Sequence, residues 1–516
     1  MLVTPENDSW IGLFVPVHDS GLIPFVGIFA CSTLSTMLAM PMAMMAGMRM
    51  GLVDQPDVRR KPGQLPIPRV GGLAMVAGAA MAGLLALPWM PGILAPHHAW
   101  IGLGLMLVVA LGVLDDRFGM RGRHKLLGQI VSSMLIVLPG RQSIDAITIA
   151  GIHWELGGWG AFLAVFLLVG AMNSANLLDG MDGFLGSVGL ASGATLLVIG
   201  LIGDLPGVVV ASSLFVGCML GFLSFNRPPA RVYLGDCGSM LVGASIAMLA
   251  MACGHTGFHS SGLPLAVPAG VLFLPIIDTL AAVVRRRLTG RSIYSADRSH
   301  LHHCLALAGF KPARAAGLAF LVGASVGFMV VVAQLTGSDM PAWAAMTLAG
   351  GTLVGTGLFG RAEARLVARR LRELALPPRA RISQPDADRA LHLQGKGRWD
   401  EAWLQFVGLA RKMGIGAITL DIDMPWASES FHGRWDDGVE FEPGSDWKLD
   451  LPVSATGRIF GRVSLRSFKL DLPVDKVVSE FQPALESLRQ KVLALDLATT
   501  AVNHAFSGHS AGGVEP

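Results

Sequence analysis

The sequence predicts an all-α polytopic membrane bundle of about eleven transmembrane helices, followed by a small cytoplasmic α+β domain. Hydrophobic residues make up 52% of the 516-residue chain and charged residues only 15%. This balance is too apolar for a soluble protein of this length. The apolar residues also form long blocks instead of amphipathic stripes. Beyond Gly360 the pattern changes abruptly, because polar and apolar residues then alternate as they do in soluble domains.

Eleven apolar blocks account for the predicted bundle. A helix of about 20 apolar residues spans the hydrocarbon core of a bilayer, so we interpret each block as one transmembrane helix. The blocks are residues 23–48, 71–91, 100–114, 126–138, 159–172, 185–202, 206–223, 239–252, 263–284, 315–335 and 342–358.

Lys and Arg residues concentrate in alternate loops. Four loops contain eighteen of them, whereas the five loops in between contain only Arg141. The basic loops are residues 49–70, 115–126, 226–235 and 285–314. Cytoplasmic loops carry the excess of Lys and Arg in membrane proteins. These loops, the 173–183 loop and the C-terminal tail are therefore predicted to be cytoplasmic, with the N-terminus outside.

The chain is predicted to have four segments. The transmembrane domain covers residues 1–360, and residues 361–389 form a basic linker helix whose arginines either contact anionic headgroups or form a solvated face. Residues 390–495 form the α+β domain, and residues 496–516 a disordered tail. The domain contains no catalytic motif, so it is either a module that docks an unknown cytoplasmic partner or a passive stabilising extension. Its predicted elements are helices 399–413 and 474–493 and strands 417–422, 447–452 and 459–465.

The residues suited to chemistry all lie in loops that the charge pattern assigns to the cytoplasm. Asp115 and Asp116 follow the third block, with Lys125 nearby. Adjacent carboxylates repel each other, so the pair is costly unless a cation or a shared proton relieves it. Capping of a helix end is the structural alternative.

Four polar residues follow the fifth block: Asn173, Asn176, Asp179 and Asp182. The last three are each three residues apart, so a continuing helix would place them near one face. An apolar segment that leads into so many polar groups is costly without a ligand or a metal. We therefore favour a binding site over a polar turn.

A third cluster precedes the eighth block and contains Asn226, Tyr233 and Asp236. Gly235 and Gly238 flank the Asp236 carboxylate at the start of a predicted helix. The N–H groups at a helix N-terminus favour phosphate. The structural alternative is that Asp236 only caps the helix.

The fourth cluster combines Arg291 with His300, His302 and His303. Three histidines within four residues suit either metal ligation or the binding of phosphate oxygens. Zinc is disfavoured because no other Cys or His cluster supplies a fourth ligand. Polyphosphate binding fits better.

Paired carboxylates, Asn and Asp side chains and cationic loops at one membrane surface are what phosphoryl transfer requires. Mg²⁺ is held by one or two carboxylates and by substrate phosphates, while Lys, Arg and His bind the phosphate oxygens. A lipid-borne acceptor would explain why such a site is built on many spans. We expect no nucleic-acid partner.

Five motifs in a fixed order carry a resemblance to a known family. They are D-x-P…P-R-x-G-G, L-D-D-R-F…K, N-x-x-N-x-x-D-G-x-D-G, N…P-A-R-x-Y-x-G-D-x-G-S and D-x-x-H-x-H-H. Over residues 20–360 the chain resembles the polyprenyl-phosphate N-acetylhexosamine-1-phosphate transferases. Two positions depart from the family pattern: Lys61-Pro62-Gly63 contains no His, and Gly119 stands where some relatives have a third acidic residue.

The resemblance implies a reaction in the bacterial inner membrane. UDP-N-acetylhexosamine and undecaprenyl phosphate would give undecaprenyl-diphospho-sugar and UMP, with Mg²⁺ or Mn²⁺ as the cofactor. The His-x-His-His sequence ending at His303 looks like the branch that initiates O-antigen and related envelope glycans, so GlcNAc is the preferred sugar. Phospho-MurNAc-pentapeptide transfer is the alternative, and the resemblance leaves room for a homodimer.

The resemblance also assigns roles by motif position. Asp236 would be the main metal ligand, with Asp116 and Asp179 in support, and Asp115 and Asp116 would help to activate the lipid phosphate. The other implied contacts are Lys125, Asn173, Asn176, Asp179 and Asp182 at the nucleotide and phosphates, Asn226 and Tyr233 at the uracil, and Arg291, His300, His302 and His303 at the diphosphate or sugar.

Two other classes compete with this interpretation. In a transporter or lipid scaffold, the charged residues would form a translocation path, and Asp278, within an apolar block, is the one residue placed for it. A buried structural partnership between Asp278 and a loop arginine is the simpler interpretation. A CDP-alcohol phosphotransferase is the rival enzyme class, but its motif spacing is not matched after Gly180.

Overall fold

A computed structural model shows a mainly helical chain. It describes residues 23–54, 66–87, 96–139, 143–255, 262–289, 299–375, 390–394, 399–424, 427, 429–437, 447–455, 458–467 and 473–508. The chain divides into two compact units. The membrane unit comprises residues 1–56, 64–280 and 300–358, and the C-terminal unit comprises residues 57–63, 281–299 and 359–516.

Each of the eleven apolar blocks contains helix, because only a helix satisfies its own backbone hydrogen bonds within hydrocarbon. The helices, in chain order, are α1 (Ile23–Met50), α2 (Gly71–Ala86), α3 (Pro96–Phe118), α4 (Gly122–Val137), α5 (Trp159–Leu178), α6 (Phe184–Ile202), α7 (Pro206–Asn226), α8 (Gly235–Ala252), α9 (Ala266–Val271), α10 (Phe273–Leu288), α11 (Leu301–Leu307), α12 (Pro312–Thr336) and α13 (Met340–Gly355).

Seven helices of the described chain are long and apolar enough to cross a membrane: α1, α3, α5, α6, α7, α8 and α12. Helices α2, α4, α10 and α13 have 16 residues each. The protein is therefore multi-pass, while the number of eleven spans stays a prediction. The single helix predicted over residues 263–284 was wrong. The helix is interrupted at Leu272. In a continuous helix, the ring of Pro275 would clash with the carbonyl four residues earlier, so Pro275 lies instead in the first turn of α10.

The membrane unit is not purely helical, which corrects the all-α prediction. Strands β1 (Val53–Asp54) and β2 (Ile67–Pro68) pair antiparallel. Strand β3 (Ala146–Ile149) pairs antiparallel with β4 (Ile152–Glu155) and parallel with β5 (Leu263–Pro264). These short strands satisfy the backbone groups of loops between the helices.

Helix α8 is the most buried of the seven candidate spans. Small residues let its N-terminal end touch its neighbours. A Cβ at Gly72 of α2 would collide with Gly238, and a Cβ at Gly112 of α3 would collide with the backbone of Cys237. This close packing brings the end of α3, one turn beyond Gly112, to the start of α8.

The C-terminal unit contains a five-stranded antiparallel sheet in the order β6-β8-β7-β10-β9. The strands are β6 (Ala390–Gln394), β7 (Ala417–Met424), β8 (Glu429–Asp436), β9 (Trp447–Ala455) and β10 (Arg458–Ser467), and the helices are α14 (Arg361–Ala375), α15 (Trp399–Met413) and α16 (Val474–Gly508). The core includes Trp399, Trp403, Phe406, Phe431 and Phe481, which are fully buried.

This unit has the α+β composition that the sequence predicts. Strands β6 and β8 were not predicted, and β8 is buried at five consecutive residues, so it lacks the alternation that marks a strand. Helix α16 continues to Gly508, beyond residue 496, where the sequence predicts the start of a disordered tail. Leu495 packs against the core and supports the continuation. Residues 376–389 and 509–516 lie outside the described part.

Candidate active site

Asp116, near the end of α3, caps α8. Its Oδ2 accepts hydrogen bonds from the backbone N–H groups of Asp236 at 2.9 Å and Cys237 at 3.4 Å. The first N–H groups of a helix have no partner within the helix, so a carboxylate there is stabilising. Gly235 makes the approach feasible, because its φ is +74° and a Cβ there would lie 2.7 Å from Asp116 Oδ2.

Lys125, in the first turn of α4, joins the acidic residues. Its Nζ lies 2.5 Å from Asp236 Oδ2, 2.7 Å from Asp115 Oδ2 and 3.3 Å from Asn176 Oδ1. Asp115 Oδ1 accepts a further hydrogen bond from the N–H of Met120 at 2.7 Å. Both oxygens of Asp115 are therefore engaged by the protein.

The two asparagines of α5 have different positions. Asn176 donates to Asp236 Oδ1 at 3.0 Å and to Ser239 Oγ at 2.9 Å. Asn173 instead donates to Gln129 Oε1 on α4 at 2.7 Å. Asn176 therefore orients Asp236, whereas Asn173 ties α5 to α4 beside the site.

A turn between α5 and α6 carries Asp179 and Asp182. Asp182 Oδ2 accepts from the N–H of Ala230 at 2.9 Å. Asn226 accepts from the N–H of Gly183 at 2.8 Å and donates to the carbonyl of Val232 at 2.8 Å. The amide of buried Asn226 thus holds this turn against the loop that precedes α8.

These groups surround a cavity of about 330 Å³. Its lining residues are Asp54, Arg69, Asp116, Asn176, Asp179, Gly180, Met181, Asp182, Asn226, Tyr233, Gly235 and Asp236.

Asp54 and Arg69 form an ion pair. Neither was predicted as a site residue, although the first basic loop contains Arg69. The first basic loop reaches the site because Arg69 pairs with Tyr233 in an isolated parallel β-bridge. Residue spacing does not reveal this contact.

Negative charge accumulates in this cavity. Desolvation, together with the charges of Asp236 and Asp116, raises the pKa of Asp179 to about 7. Burial and the charge of Asp182 also raise the pKa of the Tyr233 hydroxyl. Clustered carboxylates of this kind favour a bound cation.

The described residues contain no group of three or more His, Cys, Asp and Glu side chains that could hold a metal ion. A magnesium site does not require one, because Mg²⁺ keeps several waters and binds one or two carboxylates together with substrate phosphates. Asp116, Asp179 and Asp236 each line one cavity. One or two of these carboxylates, together with phosphate and water oxygens, would fit Mg²⁺ or Mn²⁺.

The histidines lie at the start of α11. His300 and His302 are buried, and Nδ1 of His300 lies 2.8 Å from Asp278 Oδ2. Asp278 is 0% exposed and also accepts from the N–H of Leu301 at 2.6 Å. Among the described residues, Asp278 therefore pairs with His300, whereas the sequence analysis predicted a loop arginine as its partner. Asp278 holds His300 and caps α11.

His302 links α11 to the acidic turn. A Cβ at Gly180 would collide with the His302 imidazole, and the His302 ring stacks on His300 with centroids 6.1 Å apart. Burial and the charges of His303 and His300 lower the pKa of His302 to about 3, so its ring is neutral. The described lining of the acidic cavity includes none of the three histidines, and Arg291 lies outside the described residues.

The fold and this site define a multi-pass membrane protein with an acidic cavity. Residues 98–254, which include most of the cavity, match the model of glycosyl transferase family 4. The chain is 31% identical to a probable undecaprenyl-phosphate N-acetylglucosaminyl 1-phosphate transferase of Bacillus subtilis, over 59% of this chain and 84% of that protein. It is 32% identical to the decaprenyl-phosphate N-acetylglucosaminephosphotransferase of Mycolicibacterium smegmatis, over 60% and 81%.

A phospho-N-acetylmuramoyl-pentapeptide-transferase of Moorella thermoacetica is 35% identical, over 48% of this chain and 78% of that protein. The chain therefore belongs to the polyprenyl-phosphate N-acetylhexosamine-1-phosphate transferase family.

Proposed function

We propose that the protein transfers N-acetylglucosamine-1-phosphate from UDP-N-acetylglucosamine to undecaprenyl phosphate, releasing UMP and initiating a cell-envelope glycan such as O-antigen. The observation that carries the proposal is the placement of Asp236. It stands at the N-terminus of α8, is held by Lys125 and Asn176, and shares a cavity with four further carboxylates. The relatives from Bacillus subtilis and Mycolicibacterium smegmatis are named as transferases of undecaprenyl phosphate and decaprenyl phosphate, respectively.

The proposed reaction is a displacement at phosphorus. A phosphate oxygen of the lipid attacks the phosphorus that carries the sugar, and the bond from this phosphorus to the oxygen of UMP breaks. The electron pair of that bond leaves with UMP, and the new bond completes the lipid diphosphate. The catalytic task is to position anionic groups and to offset their charge.

The carboxylates would hold a divalent cation for this purpose. Mg²⁺, with Mn²⁺ as the alternative, would bind Asp236 with Asp116 or Asp179 and offset the charge of the diphosphate. Lys125 and Asn176 keep the Asp236 carboxylate in one orientation. The N–H groups at the start of α8 add positive potential beside the phosphates.

Asp115 is proposed to orient Lys125 and not to act as a general base. Its two oxygens are engaged by Lys125 and by the N–H of Met120. A phosphate monoester is already largely ionised near neutral pH, so its attacking oxygen needs no proton removed.

The remaining residues are proposed to bind the donor. The Tyr233 ring, at the cavity wall, would stack on uracil, with Asp182 and Asn226 fixing the surrounding loops. Arg69 would meet a phosphate. Arg291 and the three histidines would contact the diphosphate or the sugar, and Asp278 would orient His300. This cavity is proposed to face the cytoplasm, because its loops carry the excess of Lys and Arg.

Phospho-MurNAc-pentapeptide transfer is the second candidate, favoured by the Moorella thermoacetica relative. Both candidates are tested by giving the purified protein undecaprenyl phosphate, Mg²⁺ and one UDP-sugar at a time. We expect lipid labelling from UDP-N-acetylglucosamine and none from UDP-MurNAc-pentapeptide. The reverse result would assign the second function, and no labelling from any UDP-sugar would reject both.

A further inference from the structure

Helix α14 has two unlike sides. Its Leu366 and Glu363 are buried at 5% and 8% exposure, and Glu363 pairs with Arg285 in the same unit. Arg369 Nη2 reaches the carbonyl of Arg434 on β8 at 3.5 Å. These contacts attach one side of α14 to the C-terminal unit and leave the opposite side exposed.

The exposed side carries an apolar stripe. Val367 is 39% exposed and Leu371 61% exposed. Residues spaced by three or four lie on one side of a helix. Ala364, Ala368 and Ala375 continue the same stripe and are also exposed. Single exposed apolar residues are common on soluble domains, whereas these five lie side by side along one face of the helix.

Arginines border the stripe along one edge. Arg361, Arg365 and Arg372 are all exposed, and their spacing places them on one flank of the helix beside Ala364 and Ala368. An apolar face with a basic border is the pattern of a helix that lies in a membrane interface. Its long cationic side chains reach phosphate while the apolar face enters the acyl boundary.

The position of α14 in the chain supplies an independent argument for a membrane surface. Helix α13 packs against the spanning helix α12 after a three-residue connection, Gly337–Asp339, so it returns toward the side where α12 begins. The chain from Gly355 to Arg361 can extend at most roughly 20 Å. Helix α14 therefore starts within reach of the bilayer surface.

We propose that α14 is an interfacial helix whose apolar stripe enters the membrane surface while Arg361, Arg365 and Arg372 bind the headgroups of anionic phospholipids. The C-terminal unit would be anchored to the bilayer by this helix as well as by its covalent link. The expected depth of the stripe is roughly 5–10 Å into the headgroup region. The inference does not depend on the proposed reaction.

The test uses the full-length protein reconstituted into phosphatidylcholine vesicles with and without phosphatidylglycerol. An environment-sensitive fluorophore is attached to Leu371→Cys, and to Ser479→Cys on the exposed side of α16 as the control. The unsubstituted chain measures background labelling of its own five thiols. Spin-labelled lipids quench a fluorophore in the bilayer, and iodide quenches one in water.

We expect the label at position 371 to be quenched by lipid, more strongly with phosphatidylglycerol, and the label at position 479 to be quenched only by iodide. Replacing Arg361, Arg365 and Arg372 with Gln should weaken the dependence on phosphatidylglycerol, by roughly fivefold in the binding equilibrium per arginine. The matched control replaces Arg434, Lys448 and Arg462, which are exposed basic residues of the same unit, and should change nothing.

Two results would overturn the proposal. Iodide quenching of the label at position 371 in both vesicles would show that the stripe faces water. Protection of that label from both quenchers would show that a protein surface, such as a second copy of this chain, covers it. A gel-filtration profile that matches the unsubstituted chain makes either result interpretable.

Discussion

Lys125 offsets the charges of two carboxylates at the centre of the site. Replacing it with Met would leave Asp115 and Asp236 without their shared cation and would free Asp236 to rotate. We expect the transfer rate to fall by roughly 10²–10³-fold, the effect of removing one charge-stabilising group from an active site. Steady-state kinetics with saturating Mg²⁺ measures this change.

The control is Lys311→Met, which removes an exposed lysine just before α12. It should leave the rate within about twofold, since surface substitutions away from special features are nearly neutral. Equal rates for the Lys125→Met protein and the unsubstituted protein would contradict the role of Lys125.

We infer that Asp278 is a positioning residue for His300. In the Asp278→Asn variant, the amide oxygen can still accept from the N–H of Leu301. The amide NH₂ group then replaces the oxygen that contacts Nδ1 of His300 and disrupts the hydrogen bond that orients this ring. We expect a loss of roughly 10–100-fold in kcat, as for other groups that orient a functional histidine. The loss should nearly vanish when His300 is already Ala, because the two residues act as one unit. Additive losses, or loss of folded protein alone, would contradict this role.

Residue spacing predicted part of the site. The motifs single out Asp115, Asp116, Asn176 and Asp236. In the structure Lys125 contacts Asp115, Asn176 and Asp236, and Asp116 accepts from the backbone N–H of Asp236. Residue spacing could not reveal which carboxylate caps α8, because the capping contact depends on how α3 packs against α8. Gln129 and Asp54 were missed for the same reason, since each acts through a residue distant in sequence.

At the scale of helices, the site depends on the close contact of α3 with α8. Gly112→Ala would push a methyl group into the backbone of Cys237. We expect a cost of about 1–3 kcal/mol in stability and a lower thermal midpoint, because an overpacked interface has to shift. Transfer activity should also fall, since the contact brings Asp116 to α8. A thermal-shift assay in detergent measures the first effect.

Gly102→Ala is the matched control within the same helix. A Cβ at Gly102 meets nothing within 4 Å, so the substitution should be neutral or slightly stabilising. Identical behaviour of the two variants would show that the contact between α3 and α8 is less important than we infer.

Periodicity predicted most helices because apolar length is a strong signal. It failed where backbone chemistry overrides composition, as at the break before α10, where Pro275 ends one helix and begins another. The strands β3 and β4 were missed because they lie in a loop between spans, where apolar length says nothing. In the C-terminal unit, β8 escaped prediction because both of its faces are buried.

At the scale of the whole molecule, every described residue of the acidic cavity belongs to the membrane unit. Deleting residues 385–516 should therefore leave transfer by the purified protein within about twofold, since no catalytic group is lost. The same assay in native membranes, with glycan output in cells, tests the C-terminal unit separately. A large loss of transfer in vitro would contradict the assignment of the site to the membrane unit.

In the proposed reaction, phosphorus moves with the sugar at a site centred on Asp236. The most direct measurement uses UDP-N-acetylglucosamine labelled both at the phosphorus attached to the sugar and in the uracil. We predict that the phosphorus label enters the lipid extract while the uracil label leaves as UMP. The Asp236→Asn substitution should abolish both the labelling of the lipid and the release of UMP. The control is Asp204→Asn, which changes an exposed carboxylate in the loop between α6 and α7 and should abolish neither. Release of UDP with a lipid that carries the sugar but no phosphorus label, or full activity of Asp236→Asn, would contradict the proposed reaction.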